Sequence, residues 1–194
     1  MRIGVYGGSF DPIHTGHAML ANYISQSGIV DEVWLMVSRL NPLKKGMSPA
    51  SDEHRLNMAL LAAAGCKGVK ASDFEFSLPL PSYTYTTLCR LRESYPEHTF
   101  SLIIGSDNWH EMKRWRDPEK IISEFGIIIY PRPGYDVDEP LPEGVSLLPG
   151  VPTVEISSTL IRGMVNEGKN INYFVPLSVG EYITEHNLYK RKKE

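Results

Sequence analysis

The stretch RIGVYGGSFDPIHTGH, residues 2–17, joins an apolar run to a glycine pair and then to two histidines. Its first part, RIGVY (2–6), predicts a buried β-strand that ends at the glycine pair. From Thr15 to the glycine at position 28, apolar side chains recur at helical spacing, which predicts a helix. A strand, a glycine turn and a helix in this order predict the first unit of a parallel sheet.

The same alternation continues along the chain. Apolar runs at 32–38, 99–105 and 126–134 predict further strands. Amphipathic stretches at 51–65 and 85–95 predict helices between them. Strands and helices at this spacing predict an α/β protein with a mainly parallel sheet covered by helices on both faces.

The length and the proline pattern suggest how the rest of the chain is organised. A length of 194 residues allows one well-buried core and is short for two, which favours a single domain, 1–194. The proline-rich segment 131–152 predicts a loop or short strands. A small helical C-terminal part is expected at about 156–190, with Ser157 or Ser158 capping its first helix.

Composition narrows the environment and the partners. The net charge of -3 lacks the basic excess typical of nucleic-acid binders, so no nucleic-acid partner is expected. Cys66 and Cys89 lack metal-type spacing, which argues against a disulfide framework or a cysteine-based zinc site and favours a reduced, cytoplasmic setting. The N-terminal residues resemble neither a signal peptide nor a membrane span, so no membrane partner is expected, and a homo-oligomer is left open.

His14 and His17 follow the glycine turn at the start of the predicted first helix. Ligands of parallel sheets bind beyond the carboxyl ends of the strands, and a helix N-terminus there offers free N–H groups to phosphate oxygens. Two imidazoles three positions apart could then grip one phosphate from two sides. Two other interpretations stay open: a surface histidine pair that caps a helix, or half of a metal site that needs further ligands.

A second polar cluster, ISSTLIR, occupies residues 156–162. Its hydroxyls and helix-start N–H groups suit an anion, and Arg162 adds a forked donor about one turn later. An ordinary helix cap is the alternative for this cluster, since Ser and Thr commonly precede helices.

Single side chains elsewhere are also candidates. Asp107 follows a predicted strand and could hold a ribose or serve as an N-cap. Trp115 could stack on an aromatic ring or fill the core. Arg132 and Lys45 lie in proline-containing loops, where they could meet phosphate or remain solvated charges.

Taken in chain order, these motifs resemble the nucleotidyltransferase superfamily of the HxGH type. HTGH (14–17) is similar to its first signature and ISSTLIR (156–162) to its second. Within the superfamily, SYTYTTL (82–88), IIGSDNWHEMKRW (103–115) and VPLSVGEYITEHNLY (175–189) resemble bacterial nicotinate-nucleotide adenylyltransferases. This resemblance implies a Rossmann-like, doubly wound sheet and transfer of the adenylyl group of ATP to nicotinate mononucleotide, with pyrophosphate released.

The resemblance also implies roles for individual residues. His14, His17 and Arg162 would be catalytic, acting on the ATP phosphates. The implied ATP-binding residues are Gly8, Ser9, Phe10, His14, His17, Gly105, Asp107, Ile156, Ser157, Ser158, Thr159 and Arg162. The implied nicotinate-nucleotide-binding residues are Lys45, Ser82, Tyr83, Thr84, Trp115, Arg116 and Arg132.

The expected cofactor is Mg²⁺, held mainly by substrate phosphates, with no protein metal ligands. Alternatives are a superfamily adenylyltransferase acting on nicotinamide mononucleotide or another phosphorylated acceptor, and a nucleotide-binding protein without chemistry.

Overall fold

The computed structural model describes residues 1–39, 50–138 and 140–190. The strands in these ranges are β1 (Arg2–Gly8), β2 (Glu32–Val37), β3 (Val69–Ser72), β4 (Thr99–Gly105), β5 (Ile127–Tyr130) and β6 (Val145–Leu147). The α-helices are α1 (Thr15–Gln26), α2 (Asp52–Ala63), α3 (Thr84–Ser94), α4 (Ser106–Glu111), α5 (Pro118–Phe125), α6 (Ser158–Asn166) and α7 (Leu177–Glu185). Short 3₁₀ turns occupy Phe74–Ser77 and Met112–Arg114.

The six strands form one sheet in the order β3-β2-β1-β4-β5-β6, and all of their pairings are parallel. The chain runs outward from β1 through β2 to β3, then returns to pair β4 with the free side of β1. This is a doubly wound, Rossmann-like arrangement, as expected from the sequence. Its topological switch point lies between β1 and β4, where a cleft opens beyond the carboxyl ends of the strands.

Each face of the sheet carries its own hydrophobic core. Side chains of one strand alternate between the faces, so Ile3 and Val5 enter one core while Tyr6 enters the other. The core containing Tyr6 also receives buried residues of α1, α2, α6 and α7. The opposite core receives those of α3 and α5, including Leu91 and Ile121. The predicted covering of both faces by helices is confirmed.

Most sequence-based boundaries agree with the structure to within a few residues. The strand predicted at 99–105 coincides with β4, and the helix predicted at 85–95 corresponds to α3. The strand predicted at 126–134 ends early, at Tyr130, because the prolines that follow cannot donate ladder hydrogen bonds.

The sequence analysis missed β3 and α5. At four residues β3 is too short to show an alternating pattern. Helix α5 is entered through Asp117, whose backbone is left-handed with φ of 53°, and it starts at Pro118. A proline in the first turn suits a helix, and it is the signal that could have identified α5.

The remaining expectations concern the loops and the C-terminal part. The segment predicted as a loop or short strands, 131–152, contains the short edge strand β6. Helices α6 and α7 lie within the helical part expected at about 156–190. The candidate Lys45 lies outside the described residues, and the single domain stays a prediction. Among the helices that are described, none combines the length and apolar character needed to cross a membrane.

Candidate active site

A cavity of about 370 Å³ opens at the carboxyl ends of β1, β4 and β5. This is the edge of the sheet where the sequence predicted a binding site. We call it the histidine cavity, and its walls combine α1, the loop after β5 and the segment before α6. Its lining residues are Tyr6, His14, Gly16, His17, Leu20, Asp107, Tyr130, Pro131, Arg132, Pro133, Tyr135, Val151, Pro152, Thr153, Val154, Glu155, Ile156, Ser157 and Leu160.

The turn after β1 sets the position of the first histidine motif. Phe10 has a left-handed backbone with φ of 45°, and its ring is buried in the core. A Cβ atom on Gly8 would come within 2.9 Å of that ring, so a residue without a side chain is required there. The Phe10 ring meets the His17 ring edge to face, with centroids 5.2 Å apart. Gly8, Ser9 and Phe10 therefore support the cavity without lining it.

His14 and His17 form a reciprocal capping pair at the N-terminal end of α1. His14 is the N-cap of α1, its Nδ1 accepts from the His17 backbone N–H at 3.4 Å, and His17 Nδ1 accepts from the His14 backbone N–H at 3.3 Å. The two rings stack with centroids 3.6 Å apart. Because both Nδ1 atoms are acceptors, the proton of each neutral imidazole is on Nε2. The capping interpretation is thus correct for this pair, but its surface placement is wrong for His14, which is buried. Both rings line the cavity.

The surroundings of the two imidazoles keep them neutral. Burial, assisted by the positive charge of Arg132, lowers the pKa of His14 to about 4. Burial also lowers the pKa of His17 well below its usual value, with further contributions from His14 and Arg132. Near neutral pH the pair therefore offers N–H donors without positive charge, in a cavity that Arg132 also lines.

Asp107 and Arg132 form the opposite wall. Gly105 is the N-cap of α4, and a Cβ there would collide with Asp107 Oδ1. Asp107 is not the N-cap, which removes the capping alternative raised for it. Its buried Oδ1 finds no hydrogen-bond partner among the described residues and lies 3.6 Å from Arg132 Nε. The Arg132 backbone N–H donates to Ser106 Oγ at 2.8 Å, which holds this loop against α4.

The second motif meets the first at the start of α6. Ser157 is the N-cap of α6, and its Oγ accepts from the Leu160 N–H at 3.2 Å, so the helix-cap interpretation is correct for this residue. Ser158 Oγ donates to the Pro12 carbonyl at 2.9 Å, and Arg162 Nη1 donates to the Asp11 carbonyl at 2.6 Å. The two signatures, far apart in the sequence, are thereby fixed against each other.

The histidine cavity contains only part of the predicted ATP set. Lining it are His14, His17, Asp107, Ile156 and Ser157. The others lie at the ends of β1 and β4, in the turn after β1 and in the first five residues of α6: Gly8, Gly105, Ser9, Phe10, Ser158, Thr159 and Arg162. Arg132, which the resemblance grouped with the acceptor nucleotide, lines the cavity beside Asp107.

The other predicted acceptor residues that the structure describes do not line this cavity. We call Ser82, Tyr83, Thr84, Trp115 and Arg116 the Trp115 surface. The Arg116 guanidinium lies over the Tyr83 ring at 4.6 Å, and Ser82 Oγ donates to Glu75 Oε1 at 2.7 Å. Trp115 is half-buried and packs on the core below α3 and α5, so the core interpretation of this residue is correct in part.

Helix α3 begins on the Trp115 surface without a side-chain cap. Its N-cap is Tyr83, which makes no capping hydrogen bond. The first-turn N–H groups, starting at Thr84, consequently have no side-chain acceptor at the N-cap. Uncapped N–H groups at a helix start suit a negatively charged ligand group such as a carboxylate.

Two tyrosines of the cavity were missed in the sequence analysis. Tyr6 and Tyr130 are buried, and their hydroxyls lie 3.4 Å apart. Each lies near the carboxyl end of its strand, in the core that also receives buried residues of α1. The strand-end position was the signal that could have found them.

The surroundings of His14 and His17 also bear on the metal-site alternative. Within 1–39, 50–138 and 140–190, no group of three or more His, Cys, Asp or Glu side chains could hold a metal ion. Around the histidine pair, the N–H donors of His14, His17 and Arg132 share the cavity with the carboxylates of Asp107 and Glu155, which form no metal-holding group with the two imidazoles. The half-metal-site interpretation of His14 and His17 has no further ligand among these residues.

Comparisons with known proteins agree with this geometry. The Cytidylyltransferase-like family model matches residues 5–164. A Bacteroides thetaiotaomicron protein named "Probable nicotinate-nucleotide adenylyltransferase" is 50% identical over 96% of this chain and 92% of its own. A protein of the same name from Flavobacterium johnsoniae is 44% identical over 98% of this chain and its full length. The chain belongs to the nicotinate-nucleotide adenylyltransferase family. It is accordingly a nucleotidyltransferase.

Solved structures place the whole chain in this family. Nicotinic acid mononucleotide adenylyltransferase from Plasmodium falciparum, complexed with NaAD, superimposes with a TM-score of 0.80 at 28% identity, covering 97% of each chain. The same Plasmodium enzyme complexed with APC gives a TM-score of 0.78 at 27% identity. The Rossmann-like fold expected from the sequence is therefore confirmed.

Proposed function

We propose that this adenylyltransferase joins ATP to nicotinate mononucleotide, giving nicotinate adenine dinucleotide and pyrophosphate in NAD biosynthesis. The observation that carries the proposal is the pairing of the two signatures around one cavity. His14 and His17 stack at its edge, and α6 is fixed to the turn before them by Ser158 and Arg162. Membership of the family and the nucleotide complexes of the Plasmodium enzyme support the same assignment.

The reaction needs positioning and charge stabilisation more than proton transfer. A 5′-phosphate oxygen of nicotinate mononucleotide attacks the α-phosphorus of ATP, a new P–O bond forms, and the bond to the leaving pyrophosphate breaks. The attacking phosphate is already ionised near neutral pH, so no general base is required. In this proposal the Nε2–H groups of His14 and His17 donate to the phosphate oxygens, and Arg162 binds the leaving pyrophosphate.

In this proposal, Asp107 and the N-terminal end of α3 bind parts of the substrates away from the reacting phosphates. The Asp107 carboxylate lines the cavity and suits a ribose hydroxyl of ATP as its hydrogen-bond donor. At the Trp115 surface, the uncapped N–H groups near Thr84 suit the nicotinate carboxylate better than an uncharged amide. Trp115 would stack on the pyridine ring.

The proposal includes Mg²⁺, which is expected to bind together with the substrate. When bound, it would be held mainly by the ATP phosphates and water, and it would neutralise their charge. We further propose a cytoplasmic setting, as expected from the composition.

Pyrophosphate release from Mg²⁺–ATP, measured with nicotinate mononucleotide and with nicotinamide mononucleotide in parallel, tests the proposal. We expect the nicotinate form to react with the higher kcat/KM. A higher kcat/KM for the amide form would contradict the nicotinate assignment and make nicotinamide mononucleotide the proposed acceptor. No release with either acceptor would contradict the adenylyltransferase reaction.

A further inference from the structure

The C-terminal stretch VPLSVGEYITEHNLY is used by none of the steps above, although its last residue reaches the site. After α7 the backbone turns back through two left-handed residues, Asn187 with φ of 52° and Tyr189 with φ of 62°. Residues other than glycine adopt this backbone conformation at some cost in free energy, so another interaction has to hold them there. The turn brings Tyr189 to the loop that precedes α1.

The Tyr189 hydroxyl binds a buried carboxylate beside the histidine motif. Tyr189 Oη donates to Asp11 Oδ1 at 2.8 Å, across 178 positions of sequence. The same Oδ1 accepts the Ala50 backbone N–H at 3.1 Å. Asp11 is only 8% exposed. Burial and the neighbouring Asp11 charge raise the pKa of Tyr189, so the hydroxyl keeps its proton and remains a donor.

Asp11 in turn lies next to Arg162. Arg162 Nη1 donates to the Asp11 backbone carbonyl at 2.6 Å, whereas the Asp11 carboxylate oxygen Oδ2 is 3.8 Å from the same nitrogen. Arg162 Nη2 donates to Thr159 Oγ1 at 3.1 Å. The carboxylate is therefore near the guanidinium without forming a short, two-pronged ion pair with it.

We propose that Tyr189 is a positioning residue for ATP. Its hydroxyl holds the Asp11 carboxylate through Oδ1, so that the Arg162 guanidinium stays available to the phosphates of the nucleotide. Without that hydroxyl, the Asp11 carboxylate loses a hydrogen-bond donor and moves closer to Arg162. The carboxylate then competes with ATP for the Arg162 guanidinium. The inference rests on the proposed function, because it assumes that Arg162 binds ATP phosphates.

Calorimetric titration of ATP into Tyr189→Phe tests this role directly. We expect the dissociation constant to rise about three- to tenfold, the range of one hydrogen bond's net contribution. The affinity for nicotinate mononucleotide is expected to stay unchanged. In an Arg162→Ala background, Tyr189→Phe is expected to cause no further loss of ATP affinity, because its route through Arg162 is gone.

Tyr182→Phe is the matched control, since Tyr182 is a second tyrosine of the same C-terminal segment. Its hydroxyl lies 2.9 Å from His54 Nδ1 and accepts from Asn57 Nδ2 at 2.9 Å, away from Asp11. We expect this variant to lower the Tm without changing ATP affinity.

Three results would overturn the proposal. A lowered Tm with unchanged ATP affinity in Tyr189→Phe would make the residue a structural anchor only. An equal loss of affinity with and without Arg162 would exclude the route through Arg162. Absence of ATP binding by the unaltered protein would overturn the proposed function as well, which distinguishes that failure from the other two.

Discussion

The histidine cavity and the Trp115 surface differ in how firmly their side chains are held. Around the cavity, backbone groups fix the functional side chains: His14 and His17 cap one helix reciprocally, and Arg162 donates to the Asp11 carbonyl. At the Trp115 surface, Arg116 is exposed, its guanidinium lies over the Tyr83 ring at 4.6 Å, and its Nε is 3.7 Å from Asp117 Oδ2. The difference suggests that the phosphate chemistry depends on a fixed geometry, whereas the acceptor ring is bound by an adaptable surface.

The largest effect is expected from His17→Ala. Removing a positioned donor to a charged transition state should lower kcat by a factor on the order of 10² or more, while the fold is retained. Pyrophosphate release at saturating substrates measures this change. His54→Ala is the control, because His54 contacts Tyr182 at the far side of α2 and α7, and its kcat is expected to be unchanged. Near-normal turnover of a folded His17→Ala protein would contradict the assignment of the cavity.

The next largest effect is expected from Arg55, a buried arginine that contacts the turn after β1. Arg55 is fully buried, and its Nη1 donates to the Ser9 carbonyl at 2.6 Å and to the Ser38 carbonyl at 2.7 Å. Arg55→Met leaves both acceptors and Asp52 without this partner, so we expect the free energy of unfolding to fall by about 2 to 4 kcal/mol. Denaturant titration measures it.

Arg90→Met provides the comparison for Arg55. Arg90 pairs with Glu93 on the exposed side of α3, and the change should cost about 0.5 kcal/mol or less. Equal losses of unfolding free energy in the two variants would show that Arg55 contributes no more to stability than an exposed, ion-paired arginine.

The histidine pair should also make stability depend on pH. The pKa of His14 is about 4 in the folded protein and near 6.5 when unfolded, so between these values the unfolded chain binds more protons. Stability contributed by the neutral ring is present above the unfolded pKa and lost as the pH falls. From about pH 7 to about pH 5, this single group should lower the free energy of unfolding by about 1 to 2 kcal/mol.

Denaturant titrations of the unaltered protein and of His14→Asn at both pH values separate this contribution from other groups. The variant should show a weaker pH dependence in this range. An identical dependence in both proteins would mean that His14 is not neutral in the folded state. The lowered pKa of His17 acts in the same direction and is retained in the variant.

The sequence predicted the parts of the site that depend on local pattern. The alternation of strands and helices placed the ends of β1, β4 and β5 at one edge, and glycine at position 8 marked the sharp turn. Ser157 or Ser158 was predicted to cap the helix that follows, and the structure shows Ser157 as the cap. In each case, backbone conformation and hydrophobic period fix the structure within a few residues.

The contacts that tie distant segments together could not be predicted in this way. Arg55 reaches Ser9 across 46 positions and Tyr189 reaches Asp11 across 178, and nothing in either local pattern names its partner. Arg55 lies on an ordinary amphipathic helix, where an arginine is expected to face solvent. These interactions arise only once the sheet has brought the segments together.

The smallest effect is expected at the Trp115 surface. Trp115→Leu keeps the contact with the core but removes the flat aromatic face, so the KM for nicotinate mononucleotide should rise about fivefold through the loss of stacking. Trp115→Phe retains an aromatic ring and should stay within about twofold of the unaltered protein. In both variants the KM for ATP should be unchanged, because the histidine cavity is lined by other residues. Initial rates with each substrate varied in turn measure these constants. A rise in the KM for ATP in Trp115→Leu would mean that the two regions are coupled, and the adaptable acceptor surface would then be the wrong description.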